Sequence, residues 1–209
     1  MAQSVVFWNL FSKTYSKQKI SDQKAYEYKL QKTRALMKPT DHVFEFGCGT
    51  GSTAIYHAEK VKSIHATDYA KGMIEIANSK LENGGPENVK FQVGTFDSLN
   101  LEANSYDMVL GLNILHLIPN MSATIEKIAQ ITKPGGYFIG STACLKPTGM
   151  YKFKWLFDGL AFLGILPKVY FFSSEELASA LEENGFTIIE NSTPGSGPEV
   201  RFTIAQKNS

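Results

Sequence analysis

The stretch Glu45-Phe46-Gly47-Cys48-Gly49-Thr50-Gly51 joins a predicted strand, His42 to Phe46, to a predicted helix that begins at Ser52. Glycines in such a turn let the backbone take positive φ angles and come close to a ligand. In a parallel sheet the turn lies at the carboxyl end of the strand, where ligands bind. The stretch therefore predicts an α/β protein with a ligand site at this edge of the sheet.

Apolar strand-like runs alternate with helical patterns after this turn, which is typical of βαβ units and a parallel sheet. The pattern predicts four further strands, at Ser63 to Thr67, Val89 to Val93, Asp107 to Gly111 and Tyr137 to Thr142. Two final strands, Phe186 to Glu190 and Val200 to Ala205, flank the turn Pro194-Gly195-Ser196-Gly197-Pro198. Such a turn predicts an antiparallel pair at the sheet edge.

The chain length of 209 residues fits a single domain. Residues 1–40 are expected to form a helical cap segment, and residues 41–209 the ligand-binding domain. A helical insert is expected at about 146–172, after the fifth strand. Its apolar residues occur all round the predicted helix, including Trp155, Phe157 and Phe162. Because a helix that is apolar on every side has no face for water, this one is expected to be buried or to cover something.

Composition excludes several classes of protein. The net charge of +1 provides no global attraction to nucleic acid or to an acidic membrane. The two cysteines form no disulfide framework, and no Cys/His cluster has metal-ligand spacing, so no metal and a cytoplasmic location are expected. The longest apolar stretch, Trp155 to Leu166, is too short to span a bilayer. Eight basic residues between Ser12 and Lys38 favour a solvated helix face, with a surface for RNA or an acidic substrate as the alternative.

Two details of the glycine turn distinguish between ligand classes. The dinucleotide fingerprint of nicotinamide oxidoreductases requires glycine or alanine at position 52, where this chain has Ser52. Glu45 precedes the first glycine by two residues. A carboxylate there is unfavourable beside a pyrophosphate but favourable beside a cationic sulfonium ligand with an α-amino group.

The pattern E-x-G-x-G-x-G resembles the first motif of class I S-adenosylmethionine-dependent methyltransferases, of the type that acts on small molecules. The segment Lys133-Pro134-Gly135-Gly136-Tyr137 is similar to that family's turn into the fifth strand. The resemblance covers the chain from about Asp41 to the C-terminus. It implies a Rossmann-like methyltransferase fold, which is a doubly wound, mostly parallel seven-stranded sheet with a reversed last strand. It also implies S-adenosylmethionine as cofactor.

The resemblance assigns cofactor contacts to motif positions. Asp68 is expected to hold both ribose hydroxyls, with a helix cap as the alternative. The adenine segment Gly94 to Asp97 departs from the family pattern, since Thr95 stands where an acidic residue is usual; either Thr95 or Asp97 would meet the exocyclic amine. The stretch Gly111 to His116 resembles the fourth motif, along which the methionine part lies. The expected cofactor-binding residues are Tyr15, Glu45, Gly47, Cys48, Gly49, Gly51, Asp68, Tyr69, Thr95, Phe96, Asp97 and Asn113.

The acceptor is expected to be a small molecule that is apolar or aromatic. His116 is the candidate catalytic base, with a packed loop histidine as the alternative. The apolar residues of the insert either line an acceptor pocket or form ordinary core; these are Met150, Phe153, Trp155 and Phe157. The fourth motif is not the N-P-P-Y type that methylates exocyclic amines of bases, so nucleic acid is not the expected partner. Three other functions remain open, namely a non-catalytic S-adenosylmethionine-binding module, a nicotinamide-dependent oxidoreductase and RNA modification. The sequence predicts no oligomeric state.

Overall fold

Seven strands form one sheet in the computed structural model, which describes residues 2–195 and 200–209. The strands are β1 (His42–Phe46), β2 (Ser63–Asp68), β3 (Val89–Val93), β4 (Tyr106–Leu112), β5 (Thr132–Ala143), β6 (Phe186–Ser192) and β7 (Val200–Lys207). The helices are α1 (Ala2–Tyr15), α2 (Gln23–Leu36), α3 (Ser52–His57), α4 (Lys71–Glu82), α5 (Met121–Ile131), α6 (Lys154–Phe162) and α7 (Ser174–Glu183). The part of the predicted hairpin turn from Ser196 to Pro198 lies outside the described residues.

The strand order is β3-β2-β1-β4-β5-β7-β6. The first five strands in this order are parallel, whereas β7 pairs antiparallel with both β5 and β6. The predicted mostly parallel sheet with a reversed last strand is therefore confirmed. Strand β5 begins five residues earlier than predicted because Thr132 pairs with Tyr106 across a bulge that accommodates the Pro134–Gly136 turn.

The chain reverses its direction of winding between β1 and β4. It leaves β1 toward β2 and β3 on one side and returns to β4 and β5 on the other. In doubly wound sheets the crevice at such a switch point, outside the carboxyl ends of the strands, is the ligand site. The glycine turn follows β1 and Asn113 follows β4, so both lie at this crevice.

Alternation along β1 divides the core between two faces of the sheet. Phe44 and Phe46 point to the face covered by α5 and α7, where Phe46 stacks on Phe96 at a ring distance of 4.8 Å. Val43 points to the opposite face, covered by α3 and α4. Because side chains alternate along a strand, Glu45 shares the face of Val43. The carboxyl end of β1 therefore supplies an aromatic side chain to one face and a carboxylate to the other.

Helix α1 packs on α4 at the carboxyl edge of the sheet, whereas α2 packs on the face of the sheet that carries Val43. In α1, Asn9 Oδ1 accepts a hydrogen bond from the backbone N–H of Gly72, 2.8 Å away in the first turn of α4. Tyr28 of α2 donates a hydrogen bond from its hydroxyl to Glu190 of β6, at 2.7 Å. Both helices are thus tied to the sheet by contacts distant in sequence.

The segment after β5 differs from its sequence-based description. Helix α6 is present, but only Ala161 of its nine residues is fully buried, and Trp155 and Phe162 are 72% and 73% exposed. The expectation of a buried or covering helix is therefore wrong. The physical reason is that α6 packs on α1 and on the preceding turn rather than on the sheet, so only one side of the helix is covered. Among the described residues, no helix combines the length and apolar character needed to cross a membrane.

Candidate functional site

The glycine turn combines three residues in the left-handed region, with φ of +65° at Gly47, +55° at Gly49 and +73° at Gly51. Their surroundings differ. A Cβ on Gly51 would lie 2.3 Å from Phe91 Cζ, and one on Gly47 would lie 2.4 Å from Ile114 Cγ1. A Cβ on Gly49 would meet nothing closer than Tyr15 Cε1 at 3.8 Å. Gly47 and Gly51 are therefore required by packing, whereas Gly49 presents bare backbone to the crevice.

Two carboxylates are buried beside this turn. Glu45 is 2% exposed and its Oε2 has no hydrogen-bond partner among the described residues. Burial, with the negative charge of Asp68 as the second cause, raises the pKa of Glu45 to about 8. Within residues 2–195 and 200–209 neither carboxylate forms an ion pair. The two buried carboxyl groups beside the turn are therefore not neutralised by an ion pair with any described residue, although Lys80 donates a hydrogen bond to the carbonyl oxygen of Thr50 in the turn, at 2.7 Å.

Asp68 ends β2 and holds two backbone groups. Its Oδ2 accepts a hydrogen bond from the N–H of Gly49 at 3.0 Å, and its Oδ1 accepts one from Ala70 at 2.8 Å. Burial raises the pKa of Asp68, while these two N–H groups lower it. The alternative that Asp68 caps the next helix is wrong, because the N-cap of α4 is Ala70 and none of the described side chains caps that helix. Each oxygen keeps a second lone pair, so the two hydrogen bonds leave Asp68 able to accept from a ligand.

Two hollows flank Gly47, one on each face of the sheet. The apolar hollow is lined mainly by hydrophobic side chains, including Phe46, Tyr69, Phe96, Ile114 and Leu117. The polar hollow has a volume of about 590 Å³ and is lined largely by polar and charged groups, including Glu45, Gly49, Tyr15, Lys29 and Asn113. Because the hollows share Gly47 and differ in chemistry, they suit the two ends of one elongated ligand.

The structure brings most of the predicted cofactor residues to these hollows. Gly47, Tyr69, Thr95, Phe96 and Asp97 line the apolar hollow. The polar hollow is lined by Tyr15, Glu45, Gly47, Cys48, Gly49 and Asn113. Gly51 lines neither because it packs on Phe91, and Asp68 lies behind Gly49. Burial raises the pKa of both Tyr15 and Tyr69, and the negative charge of Asp68 is the second cause in each case. Both phenols therefore lie near that carboxylate.

Cys48 and Thr95 have structural surroundings that bear on their chemistry. Burial, with Glu45 and Asp68 nearby, raises the pKa of the Cys48 thiol, so the residue stays protonated and is no nucleophile. Thr95 caps a short 3₁₀ helix at Phe96–Ser98, accepting a hydrogen bond from Ser98 N at 3.1 Å. The Thr95 hydroxyl is thus engaged by its own turn.

His116 lies in the short 3₁₀ helix Leu115–Leu117 and lines neither hollow. Its Nδ1 lies 3.2 Å from Thr142 Oγ1 and 3.5 Å from the backbone N of Ala143. Since an amide N–H only donates, this geometry favours the neutral tautomer with its proton on Nε2. Burial lowers the pKa of His116 to about 4. The imidazole is therefore neutral at pH 7, and its role as a base stays a prediction.

The insert residues expected to line an acceptor pocket do not do so. Met150, Phe153 and Trp155 are exposed and line neither hollow, and Phe157 packs against Phe171. That reading is wrong because α6 turns its aromatic side chains outward. The insert instead contributes Lys168 and Tyr170, which line the apolar hollow beyond the end of α6.

Several lining residues were not identified from the sequence. Lys29 of α2 donates a hydrogen bond to Ser141 Oγ at 3.3 Å, and Ser141 donates to Asn113 Oδ1 at 3.0 Å. Burial lowers the pKa of Lys29. Asn113 itself has φ of +57°, which is uncommon outside glycine and marks a special turn after β4. Nothing in the local sequence of α2 indicated Lys29, whereas Ile114 to Pro119 could have been inferred from their position directly after β4.

Residues 43–136 match a family model described as "Methyltransferase domain". The match confirms the predicted resemblance to class I methyltransferases. The chain is 31% identical over 97 residues to the uncharacterized methyltransferase YcgJ of Bacillus subtilis, covering 46% of this chain and 38% of that protein. It is 31% identical over 99 residues to aklanonic acid methyltransferase DauC of a Streptomyces species, covering 46% of this chain and 45% of DauC. It is also 29% identical over 97 residues to demethylmenaquinone methyltransferase of Lactococcus lactis, covering 45% of this chain and 38% of that enzyme.

Several solved structures share the fold of this protein over most of the chain. The structure of YcgJ superposes with a TM-score of 0.73 at 17% identity, covering 88% of this chain and 99% of YcgJ. An S-adenosylmethionine-dependent methyltransferase from Mesorhizobium loti gives a TM-score of 0.72 at 18% identity, covering 88% and 99%. The [4+2]-cyclase SpnF gives 0.70 at 17% identity, covering 88% and 80%. The sequence matches to the curated relatives span less than half the length of those relatives.

Proposed function

We propose that the protein binds S-adenosylmethionine at the carboxyl edge of β1, β2 and β4 and transfers its methyl group to a small apolar or aromatic acceptor. One observation carries the proposal, namely the buried carboxylate of Glu45, which lacks a partner among the described residues. A buried unpaired charge is costly unless a ligand compensates it. A ligand with a sulfonium and an α-ammonium group supplies positive charge at that position, whereas the pyrophosphate of a nicotinamide cofactor would be repelled.

The residues of both hollows fit the parts of this cofactor. Phe46, Tyr69 and Phe96 of the apolar hollow offer flat apolar surfaces for a purine. The free lone pairs of Asp68 serve two ribose hydroxyls through hydrogen bonds to a charged group, each worth about 1.5–3 kcal/mol. The polar hollow offers Glu45 to the ammonium group and Lys29 and Tyr15 to the carboxylate. When bound, the cofactor supplies an activated methyl group.

The protein's own contribution to methyl transfer is orientation and exclusion of water. Holding an acceptor in line with the methyl group is worth up to about 7–11 kcal/mol, so a strong base is optional. We propose that residues 1–40 act as a cap over the site, since Ser4 and Val5 line the apolar hollow and Tyr15 covers Gly49. In the same proposal residues 41–209 hold the cofactor, and the insert at about 146–172 closes one wall through Lys168 and Tyr170.

A small-molecule acceptor is favoured over nucleic acid. The names of DauC and of the Lactococcus lactis enzyme refer to aklanonic acid and demethylmenaquinone, both small molecules. Three basic residues of the N-terminal cluster are engaged with the protein itself: Lys29 with Ser141, Lys32 with Glu190 and Arg34 with Glu59. The engagement of these three of the eight basic residues leaves a smaller surface for RNA phosphates.

The test is calorimetric titration with S-adenosylhomocysteine, with NADH in parallel. We expect micromolar binding of the first and none of the second. Asp68→Ala should abolish detectable S-adenosylhomocysteine binding. The matched control is Asp107→Ala, because Asp107 also accepts from a backbone N–H, that of His42 at 2.8 Å, but at the opposite end of the sheet. Binding of NADH alone, or full affinity in a folded Asp68→Ala variant, would overturn the proposed site.

Methyl transfer itself requires a separate test. Radiolabelled S-adenosylmethionine is incubated with the protein and a panel of phenolic, quinol and polyketide-like acids, and labelled product is extracted. Label in an acceptor supports the enzyme. Tight cofactor binding with no transfer to any of these acceptors would favour the non-catalytic binding module.

A further inference from the structure

The segment from Met150 to Ile165 exposes an unusual amount of apolar surface. Eight of its large side chains are exposed, and they define the apolar patch: Met150, Tyr151, Phe153, Trp155, Leu156, Phe162, Leu163 and Ile165. Exposed apolar residues scattered singly are ordinary, but a contiguous cluster of large ones marks an interaction surface. Nothing in the cofactor site uses this patch, since none of the eight lines either hollow.

The patch is organised along one side of α6. Trp155 and Phe162 are seven residues apart, as are Leu156 and Leu163, so the four lie on one helical stripe. The opposite side holds the helix to the protein: Ala161 is buried, and Asp158 forms ion pairs with Lys154 and Lys168. The helix is therefore amphipathic with its apolar stripe directed to the outside.

The charges around the patch are mostly positive. Residues 144–173 contain four lysines and one aspartate; counting Glu176, which pairs with Lys146, the local net charge is +2, against +1 for the whole chain. Lys152 lies inside the patch, is exposed and forms no ion pair with the described residues. Aromatic and aliphatic side chains interleaved with lysines are the pattern of surfaces that lie in the headgroup region of anionic membranes.

We propose that the apolar patch docks on an anionic lipid surface, with Trp155, Phe162 and Leu163 entering the headgroup boundary. A second copy of the chain fits less well, because a two-fold interface pairs the patch with itself and would bring together two patches of the same positive charge. A bilayer also needs no shape complementarity to an irregular stripe. The lysine stems can lie along the interface while their ammonium groups reach lipid phosphates.

Tryptophan fluorescence provides a direct probe, because the chain has two tryptophans, Trp8 and Trp155. In a Trp8→Phe variant the emission reports Trp155 alone. Vesicles of equal parts phosphatidylglycerol and phosphatidylcholine should shift this emission to the blue, and salt should reverse the shift. Pure phosphatidylcholine vesicles should have a much smaller effect. The unaltered protein is tested in parallel by co-sedimentation with the same vesicles, so the result does not depend on the variant.

Matched variants separate docking from folding and from the cofactor site. The double variant Phe162→Ser with Leu163→Ser should lose co-sedimentation, and Lys152→Gln should lower vesicle affinity about fivefold. Ile189→Ser is the control, since Ile189 is also exposed but lies on β6 outside the patch. S-adenosylhomocysteine affinity, measured in the same samples, should stay unchanged, so failure here is distinct from failure of the proposed function.

Two outcomes would overturn the proposal. One is the absence of both a fluorescence shift and co-sedimentation with anionic vesicles at low salt. The other is a blue shift that appears on raising protein concentration without lipid, together with a doubled mass in light scattering. The second result would assign the patch to a dimer interface.

Discussion

The glycine turn after β1 buries two carboxylates, whereas the segment from Met150 to Ile165 exposes eight large apolar side chains. Each region breaks the usual partition of polar groups outside and apolar groups inside, in opposite directions. At the turn the missing partner is a cation, because Glu45 Oε2 is unpaired. At the segment from Met150 to Ile165 the missing partner is an apolar surface. Buried polar groups and exposed apolar groups are both expected at functional sites. A buried carboxyl group indicates a polar or cationic ligand, and an exposed apolar cluster indicates an apolar partner.

The largest expected effect is a difference in the free energy of unfolding between variants of two glycines of the turn, one required by packing and the other facing the ligand site. Gly51→Ala should lower the free energy of unfolding by at least about 3 kcal/mol, because the new Cβ would lie 2.3 Å from Phe91 Cζ. Gly49→Ala should cost only about 1–2 kcal/mol, since the Cβ meets open space and left-handed backbone strain remains. Denaturant unfolding of both variants measures the difference.

Ligand binding should rank the same two variants in the opposite order. Gly49→Ala should lose S-adenosylhomocysteine binding at temperatures where it is fully folded, because its Cβ points into the crevice beside Tyr15. Gly51→Ala, where it folds, should keep the affinity. Equal stability losses in the two variants would contradict the separation of their roles.

The second prediction concerns the charge of Glu45. Its pKa is raised from 4.5 to about 8, so the carboxyl group of the unliganded protein is largely protonated at pH 7. An ammonium-bearing ligand favours the ionised form, so binding of S-adenosylhomocysteine at pH 7 should release up to about one proton. Calorimetry in buffers of different ionisation enthalpy counts that proton.

Glu45→Gln serves as the control for this titration, because the amide cannot release a proton. The variant should show no proton release and weaker binding.

The same raised pKa makes the stability of the protein depend on pH. In the unfolded chain Glu45 ionises above pH 4.5, whereas in the folded protein it stays protonated toward pH 8. The contribution of Glu45 to the free energy of unfolding therefore falls as the pH rises from 4.5 to 8. Glu45→Gln should therefore gain stability relative to the unaltered protein as the pH rises from 4.5 to 8. Proton uptake on binding would contradict this account.

The third prediction concerns the attachment of α1. Asn9→Ala removes the hydrogen bond to Gly72 N–H and should cost about 0.5–1.5 kcal/mol of stability. Since α1 places Tyr15 over Gly49, S-adenosylhomocysteine affinity should also fall, by several-fold. Ser79→Ala removes an exposed hydrogen bond within α4 and should change neither quantity. Unchanged affinity in Asn9→Ala would show that α1 does not act as a cap.

The turn could be predicted from sequence because its constraints are local. Positive φ at Gly47, Gly49 and Gly51 requires glycine, and Glu45 and Asp68 stand at fixed places on strands whose apolar pattern is regular. The places of these residues in the sheet could therefore be predicted from their positions in the sequence. The confirmed fold, with its reversed β7, rests on the same regular pattern and on the closing hairpin.

The second region could not be predicted because its environment depends on distant elements. The apolar pattern of residues 153–166 is compatible with burial, and α6 is exposed because it packs on α1 and not on the sheet. Lys29 shows the same limitation, since its place in the polar hollow depends on how α2 lies against β5. His116 was located correctly after β4, but its burial against Thr142 comes from the packing of β5.

The smallest effect is expected at the exposed patch. Phe162→Ser should change the free energy of unfolding by less than about 0.5 kcal/mol, because a side chain that is 73% exposed loses little burial. Phe138→Ala, at a fully buried position of β5, should cost about 3–5 kcal/mol. Urea unfolding in the absence of lipid measures both. A large loss in Phe162→Ser would mean that the patch is covered by the protein itself, and the contrast between the two regions would then reduce to the glycine turn alone.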